Sequence, residues 1–166
     1  MTKRCKRAGF TLVELIIVLI IMAIALGIVA PFMAKSFDKY RLRETSRALS
    51  DYLRKSREVA IKEGIKAAIY FDEDGGTFQT RYLKHNEVVS LNIPLWFELI
   101  EGMKAEIEVN DPIGSLTGEP PHFVFFPMGN AVGGTVRLSL GEDKATIIEI
   151  DDITGGIIIL KDTSSL

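Results

Sequence analysis

The sequence predicts an α+β fold: one long N-terminal helix packed on antiparallel β-sheets. Three observations lead there. From Phe10 to Ala30 the chain is apolar, with Glu14 as its single charged group. The next thirty or so residues repeat apolar and small side chains at three- and four-residue spacing. From Ile65 onward, short β-branched and aromatic runs are separated by clusters of Gly, Pro, Asn and Asp. At 166 residues the chain has the length of one domain with a real core.

Four segments follow in order. Residues 1–9 form a basic leader with Lys3, Arg4, Lys6 and Arg7 and no acid. Residues 10–31 form an apolar helix. The 21 residues from Phe10 to Ala30 would rise about 31 Å as a helix, enough to cross a hydrocarbon core. Residues 32–64 continue the helix in amphipathic form, and residues 65–166 form a β domain. Charge follows the same divisions: Lys35–Lys66 carries ten basic and five acidic residues, Ala67–Leu166 six basic and sixteen acidic. The sole cysteine, Cys5, precedes the apolar run, so the rest of the chain folds by packing without an internal disulfide.

Basic residues beside a span prefer the cytoplasmic side. Lys35, Lys39, Arg41 and Arg43 flank the other end, so the charge rule leans toward a cytoplasmic N-terminus without deciding it. The short leader tilts the expectation the same way: a single-pass protein of the inner membrane with its C-terminal domain periplasmic. A cleaved secretory signal fits less well. The apolar run exceeds the usual 7–15 residues, Glu14 interrupts it, and Ala30 is followed by Pro31 with Ile28 two places before it.

The junction reads Gly9-Phe10-Thr11-Leu12-Val13-Glu14-Leu15. It resembles the cleavage and methylation site of type IV pilins and type II secretion pseudopilins, whose pattern is Gly-Phe-Thr-Leu-x-Glu. The resemblance covers Met1 to about Pro31 and implies a pilin-like fold. It also implies that a prepilin peptidase cuts between Gly9 and Phe10 and that the new amine of Phe10 is N-methylated. Gly9 has no side chain to hinder the cut, and its backbone is easily drawn out of helical form. Pro31 falls where many family members bend the helix, and proline interrupts helical hydrogen bonding.

Glu14 needs its own account, because a carboxylate in a lipid-facing helix costs on the order of 2–3 kcal/mol or more. The resemblance implies that it meets the Phe10 amine of a neighbouring subunit during assembly. Two local accounts stand beside that one. Glu14 lies about one turn from its own chain's amine, and it lies near a helix N-terminus, where the dipole favours an anion.

In the second half of the helix, Leu42, Ser46, Leu49, Leu53, Ser56 and Ala60 form the stripe expected to face the β domain. Gly64 after Lys62 reads as the C-cap. The strands expected are Ile65–Phe71, Thr77–Leu83, Glu87–Asn92, Met103–Val109, His122–Phe126, Thr135–Leu140, Lys144–Asp151 and Ile157–Leu160. Asn110–Pro121 is the longest loop. Phe125-x-Pro127-x-Gly129 and the closing pair around Thr154-Gly155-Gly156 resemble the H-type minor pseudopilins and related minor pilins.

No cofactor is called for, and no catalytic constellation stands out. His85 and His122 lack metal-ligand spacing. Asp72-Glu73-Asp74-Gly75 opens like a calcium loop, but Leu83 stands where the closing Glu belongs. Asp151-Asp152 reads as a solvated turn, with calcium at an acidic loop left open. Arg41, Arg43, Arg47, Arg54, Lys55, Arg57, Lys62 and Lys66 make a basic face that can be imagined on DNA phosphates, yet aromatic residues beyond Tyr40 and Tyr52 are missing and the β domain is acidic. The basic face set against the acidic sheet of a neighbouring subunit fits better.

The resemblance implies a structural subunit, not an enzyme: a minor pseudopilin of the type II secretion pseudopilus. Its partners would be other pseudopilins or pilins, the prepilin peptidase and the inner-membrane assembly platform. A minor pilin of a type IV pilus or DNA-uptake apparatus is the alternative, and a membrane-anchored extracytoplasmic enzyme or binding domain is the alternative of another class.

Overall fold

The computed structural model describes residues 10–72, 76–85, 87–91, 93, 95–110, 122–141 and 144–161, without the side chains of 28–36 and 161. The leader with Gly9, most of the Asp72–Gly75 loop and nearly all of the 110–121 loop lie outside that set. The chain divides into two units, Met1–Asp38 and Lys39–Leu166.

Helix α1 runs from Leu12 to Glu63, against an expected Phe10 to about Glu63. The helical assignment passes through Pro31. Gly64 ends it as expected, with φ at 65°, and the Ile65 N–H donates to the Ala60 carbonyl at 3.0 Å. That six-residue closure with a left-handed glycine is a Schellman cap, and the burial of Ile65 supplies its usual apolar contact. In the first unit every described side chain from Phe10 to Gly27 is exposed. Among the described residues no helix is long and apolar enough to cross a membrane. Leu12 to Gly27 rises about 24 Å, short of a core of about 30 Å, and the predicted span also needs positions 28–30.

In the second unit the expected stripe is the buried one: Leu42, Ser46, Leu49, Leu53, Ser56 and Ala60 are all buried, joined by Thr45, Ser50 and Val59. Two of its hydroxyls cost little there because each donates to a helix carbonyl four residues back. Ser46 Oγ reaches Leu42 O at 2.7 Å and Ser56 Oγ reaches Tyr52 O at 3.1 Å.

Among the described residues ten strands follow the helix: β1 (Lys66–Asp72), β2 (Thr77–Lys84), β3 (Glu87–Val88), β4 (Trp96–Glu98), β5 (Met103–Val109), β6 (His122–Phe125), β7 (Ala131–Val132), β8 (Gly134–Leu140), β9 (Ala145–Ile150) and β10 (Ile157–Lys161). They form two antiparallel sheets. One is ordered β3-β2-β1-β6-β7 with β4 also on β2, the other β10-β9-β8-β5. Phe78, Tyr82, Phe123 and Phe125 from the first sheet, and Val136, Leu138, Ile148 and Ile150 from the second, close the core with Leu49 and Leu53. This is the α+β arrangement the sequence predicts.

Three strand expectations are corrected. Of the expected Glu87–Asn92 strand, only Glu87–Val88 is strand, with the Val89 N–H still donating to the Tyr82 carbonyl at 2.8 Å, and Asn92 lies outside the described residues. β4 and β7 were not expected, because two or three residues are too few to show an alternation. Their sheet partners make them strands: Phe97 sits opposite Phe78 on β2 and packs 5.7 Å from the Tyr52 ring. Gly133-Gly134 is where the chain leaves β7 of one sheet for β8 of the other. A Cβ on Gly133 would collide with the Ile150 carbonyl, and one on Gly134 with that of Glu108; only glycine lets the backbones approach so closely.

Candidate functional site

The helix that carries Glu14 begins with a cap. Thr11 stands just before the helix, and its Oγ1 accepts the Glu14 N–H at 3.3 Å, while Leu15 N–H reaches the Thr11 carbonyl at 3.2 Å. Thr-x-x-Glu ahead of an apolar run is a capping-box signature. It was legible in the sequence beside the processing motif, yet Thr11 was not singled out. The cap places Glu14 in the first turn, where the helix dipole favours an anion. Phe10 precedes the helix and is 83% exposed. Phe10 and Glu14 are four residues apart in sequence, with the Thr11 cap between them. Gly9 lies outside the described residues, and Pro31 is helical with its side chain outside them.

A second cluster emerges from residues that the sequence scatters. Arg57 of α1 donates from Nε to the Gly129 carbonyl at 3.0 Å and from Nη2 to the Thr154 carbonyl at 2.7 Å. The Phe125–Gly129 turn and the Thr154–Gly156 turn therefore meet on one guanidinium. Both glycines are needed. Gly129 has φ at 92° and Gly155 at 61°, and a Cβ on Gly155 would strike the Gly129 carbonyl and Arg57. Asp151 Oδ1 accepts from Thr154 N and Oγ1 at 2.7 and 2.6 Å. These bonds hold the carboxyl below its ordinary value, chiefly through the Thr154 hydroxyl. Asp152 accepts from Gly133 N and Asn110 Nδ2 at 2.7 and 3.1 Å. The two aspartates close a turn.

This changes the reading of the basic face. Arg57 is half-buried and spans two backbone carbonyls rather than facing solvent. Arg54 donates to the Ile157 carbonyl at 3.1 Å and lies 3.7 Å from Asp51. Lys55 pairs with Glu58 and Lys62 with Glu63, and Lys66 lies over the Phe126 ring. Nothing in the sequence separated Arg57 from its neighbours, since its partners are backbone atoms about 70 and 100 positions away.

His85 sits exposed in a turn and His122 stacks on Tyr70 from β6. Among the described residues no three of His, Cys, Asp and Glu are grouped to hold a metal. An open groove of about 360 Å³ beside the helix is lined by Arg41, Glu44, Thr45, Ala48, Phe97, Glu98 and Ile100.

Residues 4–30 match the prokaryotic N-terminal methylation motif. The fold is that of the minor pseudopilin EpsH from the type 2 secretion system of Vibrio cholerae. One such structure aligns at TM-score 0.60 and 14% identity, over 75% of this chain and 99% of that one.

The chain carries a prokaryotic N-terminal methylation motif ahead of a pilin-like fold.

A second EpsH structure aligns at TM-score 0.60 and 16% identity over 74% and 97% of the two chains. The type IV minor pilin FimU of Pseudomonas aeruginosa aligns at TM-score 0.54 and 16% identity over 74% and 90%. No curated protein matches this pilin-like chain by sequence.

Proposed function

We propose that this pilin-like chain is a minor pseudopilin, a structural subunit of a type II secretion pseudopilus without enzymatic activity. One observation carries the reading. The helix from Leu12 to Leu26 exposes its apolar side chains all round, with Glu14 as its one carboxylate. A helix apolar on every side is stable only in lipid or against other such helices. In this reading the leader stays cytoplasmic, residues 10–31 anchor the chain in the inner membrane, and the β domain lies in the periplasm. A prepilin peptidase cleaves after Gly9 and methylates Phe10. The subunit then leaves the membrane through the assembly platform to join other pseudopilins, with Glu14 meeting the Phe10 amine of a neighbour. The likeness to FimU supports a second reading, a minor pilin of a type IV pilus.

Mass spectrometry of the membrane-extracted protein, made with and without a prepilin peptidase, tests the first step. The mature chain should begin at methylated Phe10, and a chain still beginning at Met1 in the presence of the enzyme defeats the proposal. Glu14→Ala should abolish cross-linking into filaments while leaving thermal unfolding of the β domain unchanged. Normal incorporation of Glu14→Ala would rule out the assigned role of this carboxylate.

A further inference from the structure

The outward face of the larger sheet carries a row of side chains that neither the core nor the assembly motif uses. Strand register places Trp96, Gln79, Tyr70 and His122 side by side across β4, β2, β1 and β6. Directly opposed residues share a face of the sheet, and Phe97 and Phe78, one position along, point into the core. Anchoring Phe97 in the core turns Trp96 outward, where it is 62% exposed.

Beside it stands a stiff polar ridge. The Arg81 guanidinium lies over the Tyr70 ring at 4.8 Å, and the His122 ring stacks on Tyr70 at 4.7 Å with 19° between planes. The next row along the strands is Glu98, Thr77 and Asp72. The row therefore has an indole surface at one end and an imidazole at the other, with the Arg81 guanidinium along one side and carboxylate acceptors along the other. Three strand spacings make it about 14 Å long, room for about three sugar rings in an extended chain.

We propose that this face binds an extended, uncharged oligosaccharide, with Trp96 stacked on one ring and Gln79, Arg81 and the Asp72–Glu98 row hydrogen-bonded to its hydroxyls. A sugar ring offers C–H groups to an aromatic face, and each hydroxyl both donates and accepts. A surface with stacking, donors and acceptors in adjoining rows meets all three needs. Single-stranded nucleic acid also stacks on aromatic rings, but it needs a positive groove for its phosphates. Here carboxylates border the row, and Ala67–Leu166 holds sixteen acids against six bases.

Trp96 is the only tryptophan in the chain, so its emission reports on this face alone. The full chain in a sugar-free zwitterionic detergent is titrated with cellohexaose and with N-acetylchitohexaose. One of the two should shift the emission to the blue, saturably and independently of salt. By calorimetry with that sugar, Trp96→Phe should keep binding while Gln79→Ala and Arg81→Ala each weaken it about tenfold, the scale of one good contact. Unchanged melting temperatures exclude misfolding. No saturable change with either sugar overturns the proposal. So does a larger, salt-sensitive change with oligothymidylate, which would make the face a nucleic-acid site. Neither failure touches the filament reading, because no step of the test involves assembly.

Discussion

Two stretches of the same helix meet opposite fates. From Leu42 to Ala60 the stripe of apolar and small side chains is buried under the sheets, with Leu49 and Leu53 fully enclosed. From Leu12 to Leu26 the side chains are larger and more apolar, yet all are exposed. Hydrophobicity alone therefore does not decide burial within a chain. The second stretch is amphipathic, so one face meets the sheets and the other meets water. The first is apolar all round and has no face to spare for water, which is the premise of the anchoring proposed above.

The sharpest way to break this contrast is to truncate one leucine in each stretch. Leu53→Ala removes a side chain at the centre of the core and should cost about 2–5 kcal/mol in the denaturation of the β domain. Leu19→Ala, in the exposed stretch, should leave that transition where it is. If both behave alike in denaturant titrations, the two stretches are not energetically distinct.

Next in size is the Arg57 clamp. Arg57→Ala deprives the Gly129 and Thr154 carbonyls of a charged donor and should cost about 1.5–3 kcal/mol. Arg57→Lys should recover only part, since an ammonium lacks the fork that reaches both acceptors. Thermal melts of the two variants distinguish a clamp from a plain surface charge, for which both would be neutral.

The smallest effect concerns Asp151. Its carboxyl titrates below its ordinary value when folded, so the stability it contributes is present above the unfolded-state value and is lost as pH falls through the folded one. Thr154→Ala should bring the titration back toward the ordinary carboxylate value, as read by carboxyl carbon NMR shifts. An unmoved titration would mean that Thr154 is not the cause.

Much of this was legible in residue order. The buried stripe from Leu42 to Ala60, the Gly64 cap and most strand positions are local patterns set by the periods of helix and strand. Thr11 is equally legible as a cap, in residues that also belong to the processing motif.

The sequence by itself determined the long helix, the exposed apolar run with its one carboxylate, and an antiparallel β domain, because each follows from side-chain period and turn chemistry within a few neighbours. Only the tertiary structure decided that Arg57 binds two distant turns, that Trp96-Phe97-Glu98 is a strand, and that Trp96, Gln79, Tyr70 and His122 form one row. Those facts depend on backbone carbonyls and on register between strands far apart in the chain, and neither leaves a period in the sequence.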